Sequence, residues 1–192
     1  MMETITPPAE LEKSCLAEAL PPWRISASVQ ESNESGKVVD CFYSVRFIIP
    51  NDKVTSQTLL VRIRGSNEPK IIADPFLDLY GGRLAAYAAA PTQKPACFHV
   101  ILSAKPYCPD SIPLSEEKFS VKLLSDDNSR EITTAISRKD SNIGKMLDNS
   151  QVTGLTWGTA KACTVMLQWN TTESPNIPYL EALEIKTMGW NP

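Results

Sequence analysis

The 192-residue chain holds one histidine, His99, and that single residue bounds its chemistry. A zinc centre built from several histidines is excluded, and no H-E-x-x-H run occurs. A nucleophile–imidazole pair has to use His99, with a Cys or Ser nucleophile and an acid such as Asp74 or Asp78 behind it. His99 lies between Phe98 and Val100 in an apolar run, where a strand histidine on a partly wet face is the plainer reading. G-x-S-x-G, a Walker loop and G-x-G-x-x-G do not occur. Gly81-Gly82 before Arg83 would let backbone amides approach an anion, but a glycine pair more simply breaks a helix.

Carboxylates come in pairs. On a helix, Asp74 and Asp78 would share a face, suited to acid–base work or a hard cation. Asp74 before Pro75 is more simply a helix cap. Asp126-Asp127-Asn128 has the start of a calcium loop without its glycine or its twelfth-position acid, so it reads as a turn. The better constellation is basic. If the first three strands are neighbours, Arg24, Arg46, Arg62 and Arg64 share the face opposite the core, a candidate surface for phosphate, RNA or an acidic partner. The plainer alternative is a solvated, edge-protecting face. Of four tryptophans, Trp23 and Trp169 fall on core-facing strand positions. Trp157, between Gly154 and Gly158, and Trp190 are the candidates for exposure, and Trp157 is a candidate binding platform.

The bulk properties narrow the partners. A net charge of −3 gives no general drive toward nucleic acid or anionic membrane. Nucleic acid is therefore a less favoured partner than a protein or a second copy. The five cysteines are odd in number and lack C-x-x-C spacing, as expected of reduced thiols in an intracellular protein. The first residues lack the basic and apolar regions of a secretory signal, and no apolar run approaches a membrane span. An intracellular location, or a place in an assembled particle, follows as an expectation. No metal or cofactor is implied.

The elements that would position these residues read mainly as strands. Trp23–Gln30 alternates apolar and polar, and so does Val38–Ile49, with Val39, Cys41, Tyr43, Val45 and Phe47 on one face. Pro50–Lys53 reads as a turn into Thr55–Arg64, whose Leu59, Val61 and Ile63 point inward. Ala96–Ala104 places Phe98, Val100 and Leu102 on one side, and Lys118–Leu124 places Phe119, Val121 and Leu123. Strands follow through Ile132–Ile136 and Ala162–Trp169, and a less certain one through Tyr179–Met188. Helical signals lie at Thr6–Leu20, Asp74–Tyr80 and around Ile143–Leu147. Arg83–Ala90 fits helix or strand.

The pattern predicts an all-β or mainly β chain: an antiparallel β-sandwich or jelly-roll-like single domain with one or two short helical insertions. Residues 1–21 form an N-terminal helical arm and 22–192 the β-rich globular domain. Function follows less directly. The first expectation is a non-enzymatic structural or interaction protein that self-associates or docks on a protein partner, a viral coat-type subunit being one form. The alternative is a ligand-binding β-sandwich module for glycan, nucleotide or RNA. A hydrolase using His99 comes third, and the reading leans away from an enzyme.

Overall fold

The computed structural model describes residues 2–17, 24–48, 54–92, 94–125 and 130–190. It is mainly β, with 45% strand and 19% helix. The chain divides into two units, Met1–Gly82 and Arg83–Pro192.

The first unit holds β1 (Met2–Glu3), α1 (Pro8–Leu11), β2 (Arg24–Ser35), β3 (Val38–Ile48), β4 (Val54–Arg64), β5 (Lys70–Ile72) and α2 (Asp74–Leu79). Its sheet runs β1-β5-β4-β3-β2. β2 and β3 join through Gly36-Lys37, with Gly36 at φ +60°, the left-handed geometry that tight hairpins favour. β3 pairs with β4 from Val38↔Arg64 to Ile48↔Val54, the expected hairpin. Its turn, 49–53, lies outside the described residues, as does Trp23.

The N-terminal helix is shorter than its sequence signal. α1 covers Pro8–Leu11, and Leu16 stays exposed. Thr6 does not cap it. The Thr6 hydroxyl instead donates to Asp74 Oδ1 at 2.7 Å, Thr4 Oγ1 donates to the same oxygen at 2.9 Å, and the Ile5 amide donates to Oδ2 at 3.0 Å. Asp74 therefore works as a long-range clasp, one residue inside a helix whose cap position is Ala73. β1 pairs in parallel with β5 through Met2↔Ile71 and Glu3↔Ile72. Gly81 follows the helix and its amide reaches back to the Phe76 carbonyl, so the glycine pair ends α2.

The second unit holds α3 (Arg83–Ala89), β6 (Ala96–Lys105), β7 (Lys118–Leu124), β8 (Glu131–Arg138), α4 (Asn142–Asp148), α5 (Ser150–Thr153), β9 (Lys161–Asn170) and β10 (Tyr179–Met188). The ambiguous segments resolve, 83–89 to helix and 179–188 to strand. The five strands close into a barrel in the order β10-β8-β7-β6-β9. β6 closes it by pairing with β9 along its first part and with β7 along its last. Phe98, Val100 and Leu102, then Phe119, Val121 and Leu123, then Cys163, Val165 and Leu167 fill the interior, as their alternation predicts. Ser141 caps α4 by accepting from the Gly144 amide, and Ile143 and Leu147 of that helix join the core.

The expected antiparallel arrangement is corrected. Both sheets are mixed, because β1 runs parallel to β5 and β10 runs parallel to β8. The second sheet closes on itself. Period-two alternation reports that a strand exists and which residues share its face; it carries nothing about a neighbour's direction. In the second unit, α4, α5 and β9 all intervene before β10 returns beside β8.

Candidate functional site

The four candidate arginines hold different environments. Arg62 and Arg64 lie on β4, opposite Asp40 and Val38. Arg62 is buried and paired at both ends of its fork, Nε to Asp40 Oδ1 at 2.7 Å and a terminal nitrogen to Oδ2 at 2.8 Å. Arg64 reaches Glu3 Oε2 at 2.5 Å, and Lys70 stands 3.7 Å from the same oxygen. The Arg64 hydrogen bond holds the Glu3 carboxyl below its ordinary range. Arg46 is exposed near the other end of the hairpin, opposite Ser26 and Ser56. Arg24 stands opposite Ile48 in register, and its side chain is outside the described residues. The structure thus brings Arg62 and Arg64 together and leaves Arg46 about 20 Å along the strands from Arg62.

The same register separates two faces of this sheet. Asp40, Phe42, Leu60, Arg62 and Ile72 share one face, and all five are buried. Ala27, Val29, Val39, Cys41, Tyr43, Val45, Leu59, Val61, Ile63 and Ile71 share the other. This second face is the one whose alternation predicts a core. Of its members Val45 is buried, Val29 is 55% exposed, Ile71 is 41% exposed, and most of the rest are half-buried. The cover falls on the opposite side because α2 follows β5 directly and packs against β4, while Asp74 ties residues 4–6 to the same helix. Neither contact leaves a trace in local periodicity.

A polar cluster that the sequence reading missed lies in the second unit. Lys118, at the start of β7, is buried with its ammonium on three acceptors: the Pro113 carbonyl at 2.6 Å, Glu173 Oε2 at 2.5 Å and Tyr179 Oη at 3.0 Å. Tyr179 donates to Glu173 Oε2 at 2.8 Å, and Asn170 Nδ2 donates to Tyr179 Oη and to Glu181 Oε2. Cys108, Ile112, Ile136 and Tyr179 form an apolar cluster beside it. Together these contacts fasten the 106–117 and 171–178 loops over β7 and β8. Burial pulls the Lys118 ammonium down, but its hydrogen bonds to Glu173 and Tyr179 outweigh that and raise it. The Lys118 hydrogen bond lowers Glu173. Burial pushes Tyr179 up to about 12 and raises Glu181.

The pH dependence follows from these directions. Glu173, lowered, stabilises the fold above its ordinary value of 4.5 and loses that contribution as pH falls through its depressed value. Lys118, raised, stabilises below 10.5 and loses its contribution as pH rises past that point. Tyr179 holds its proton to about 12 while an unfolded chain releases it near 10, so stability falls across that interval too. Glu181, raised by burial, opposes Glu173 and makes the acid limb shallow. Thermal unfolding of the second unit is expected to show a plateau between the two limbs and a steep alkaline fall. Lys118→Met should flatten the acid limb, because Glu173 loses the hydrogen bond that lowers it, while the alkaline fall carried by Tyr179 stays, since Lys118 lowers rather than raises that phenol. A variant that keeps the acid limb unchanged would refute the Lys118–Glu173 bond as its source.

The other candidates are structural in their contacts. Trp157 is 42% exposed and meets the buried Phe119 ring in a T-shaped contact, centroids 5.2 Å apart. Trp190 is 2% exposed and donates Nε1 to the Val100 carbonyl at 3.1 Å, so of the two candidates for exposure it is the buried one, tucked onto its own unit. His99 is half-buried on β6, opposite Thr164. Among the described residues, no group of three His, Cys, Asp or Glu side chains could hold a metal ion, and no helix is long and apolar enough to cross a membrane.

No family model, no curated protein and no solved structure matches this chain. Architecture alone therefore speaks. The second unit is a three-strand meander, helices and a final strand pair, closed with its last strand parallel to its third. A fold does not assign a function. The second and third strands of the barrel are β7 and β8. Their face carries the chain's own 106–117 loop, and its cations are paired: Lys118 with Glu173, Lys122 with Glu131, and Arg138 with Glu117 and Asp140.

Proposed function

We propose that this is a non-enzymatic interaction protein that self-associates or docks on a protein partner. The observation that supports this reading is the apolar face of the first-unit sheet. It is contiguous across β2, β3, β4 and β5, and it is more open than the charged face behind it. A contiguous apolar face left part-exposed in this way, with Val29 and Ile71 open and most of its other members half-buried, supports an interaction surface. Anilinonaphthalene sulfonate is the direct probe. Dye fluorescence per chain should rise on dilution as the face is freed. A chain that binds no dye at any concentration would overturn the proposal.

The barrel has the strand connectivity of OB barrels, which bind oligonucleotides or oligosaccharides on their second and third strands and flanking loops, and by that analogy it favours a second reading, a ligand module. Its test is a Trp157 fluorescence titration with single-stranded oligonucleotides and with oligosaccharides. The first reading predicts no saturable change, since the loops and paired charges already occupy that face.

A further inference from the structure

We infer that a second copy of this chain occupies the apolar sheet face, two first-unit sheets stacking face to face about a two-fold axis. This rests on the self-association reading and deepens it. The two sheets would form a β-sandwich between chains, about 10 Å apart, with their inner side chains as its core.

Three observations carry the inference. The first is composition. Along β3 and β4 the face is apolar through Val39, Cys41, Tyr43 and Val45 and through Leu59, Val61 and Ile63; its polar members are Ser32 and Glu34 on the edge strand β2, opposite Cys41 and Val39, and Gln57 opposite Val45. An apolar centre within a polar rim is the make-up of a protein–protein interface. Glu34 is the one described charge on β2, β3 and β4 that points to this face, and it sits at the β2–β3 turn end. An antiparallel two-fold stack sends the two copies' Glu34 to opposite ends, so identical faces meet without like-charge repulsion.

The second is area. β3 and β4 have 11 residues each and β2 has 12. Three such strands present a rectangle of about 36 by 14 Å, roughly 500 Å² per copy. The pair reaches about 1,000 Å², the least that a biological interface is expected to bury. The third concerns the alternative route, edge-to-edge pairing through β2. The β2–β3 register shifts between Val29 and Glu31, and a bulge in the middle of an edge strand bends it away from a would-be partner. The face is continuous where the edge is interrupted.

The test uses the full-length protein and sedimentation velocity, with circular dichroism to confirm that each variant folds. Val61→Asp places a charge at the centre of the face and should weaken association at least about 100-fold. Ser28→Lys places a charge on the β2 edge, on the other face, and should leave association unchanged. In a Cys15→Ser/Cys97→Ser background, a bismaleimide with a spacer of about 15 Å should link Cys41 to Cys41, since an axis at Tyr43, the midpoint of β3, sets the two positions about 14 Å apart along the strands and about 10 Å across the layer. A dimer that survives Val61→Asp, dissolves with Ser28→Lys and gives no Cys41 link would overturn stacking while leaving self-association standing. A chain that is monomeric at every concentration would overturn both.

Discussion

Arg62→Ala is expected to cost the first unit about 3–5 kcal/mol. Arg62 and Asp40 stand directly opposite each other on neighbouring strands, each with 4% of its side chain exposed. Both nitrogens of the guanidinium fork are engaged by both carboxylate oxygens, the strongest common geometry for such a pair. Truncating the arginine strands a buried carboxylate beside Phe42, two residues along β3 on the same buried face. The loss measures that stranded charge rather than the net worth of the pair. Replacing both residues together, Asp40→Leu with Arg62→Leu, should therefore recover most of it. Urea denaturation of the two single variants and the double variant closes the cycle. A single-variant loss below about 1 kcal/mol would place the pair among exposed ion pairs and contradict its burial. The same pairing takes Arg62 out of the four-arginine surface, and Arg64 is likewise held by Glu3.

Phe119→Ala is expected to cost the second unit about 3–5 kcal/mol. Phe119 is fully buried in the barrel, and its ring meets Trp157 in a T-shaped contact. Removing it leaves a cavity that the neighbouring Val121 and Leu123 cannot fill from a strand with fixed hydrogen bonds. It also takes away the surface on which Trp157 rests. Trp157 emission should shift to the red in the variant, while Trp157→Ala alone should cost less, since that ring is already part-exposed. Equal losses from the two substitutions would contradict the assignment of Phe119 as the buried member of the pair.

The barrel interior is legible in the sequence because a closed sheet has one inside. Once Phe98–Leu102, Phe119–Leu123 and Cys163–Leu167 alternate, their apolar members can point only there. The first unit is legible in its strands and its hairpin register but not in its cover. Val39, Cys41, Val61 and Ile63 alternate as core residues do, yet the side that is covered depends on α2 and on contacts from Asp74 to Thr4 and Thr6, 70 and 68 residues away. Charged Asp40 and Arg62 read as solvent positions because each taken alone is costly to bury; only their pairing across β3 and β4 makes burial possible. The Lys118–Glu173–Tyr179 cluster was illegible for the same reason, its members being 55 and 61 residues apart. The parallel pairings, β1 with β5 and β8 with β10, have no hairpin turn to announce them.

Solution mass by light scattering, from micromolar to several hundred micromolar chain and at two salt concentrations, tests self-association most directly. Apolar contact predicts a mass rising from 21.2 kDa toward twice that value and holding at high salt, because the proposed interface contains almost no charge to screen. A constant 21.2 kDa at every concentration, or an assembly that high salt dissolves, would contradict it.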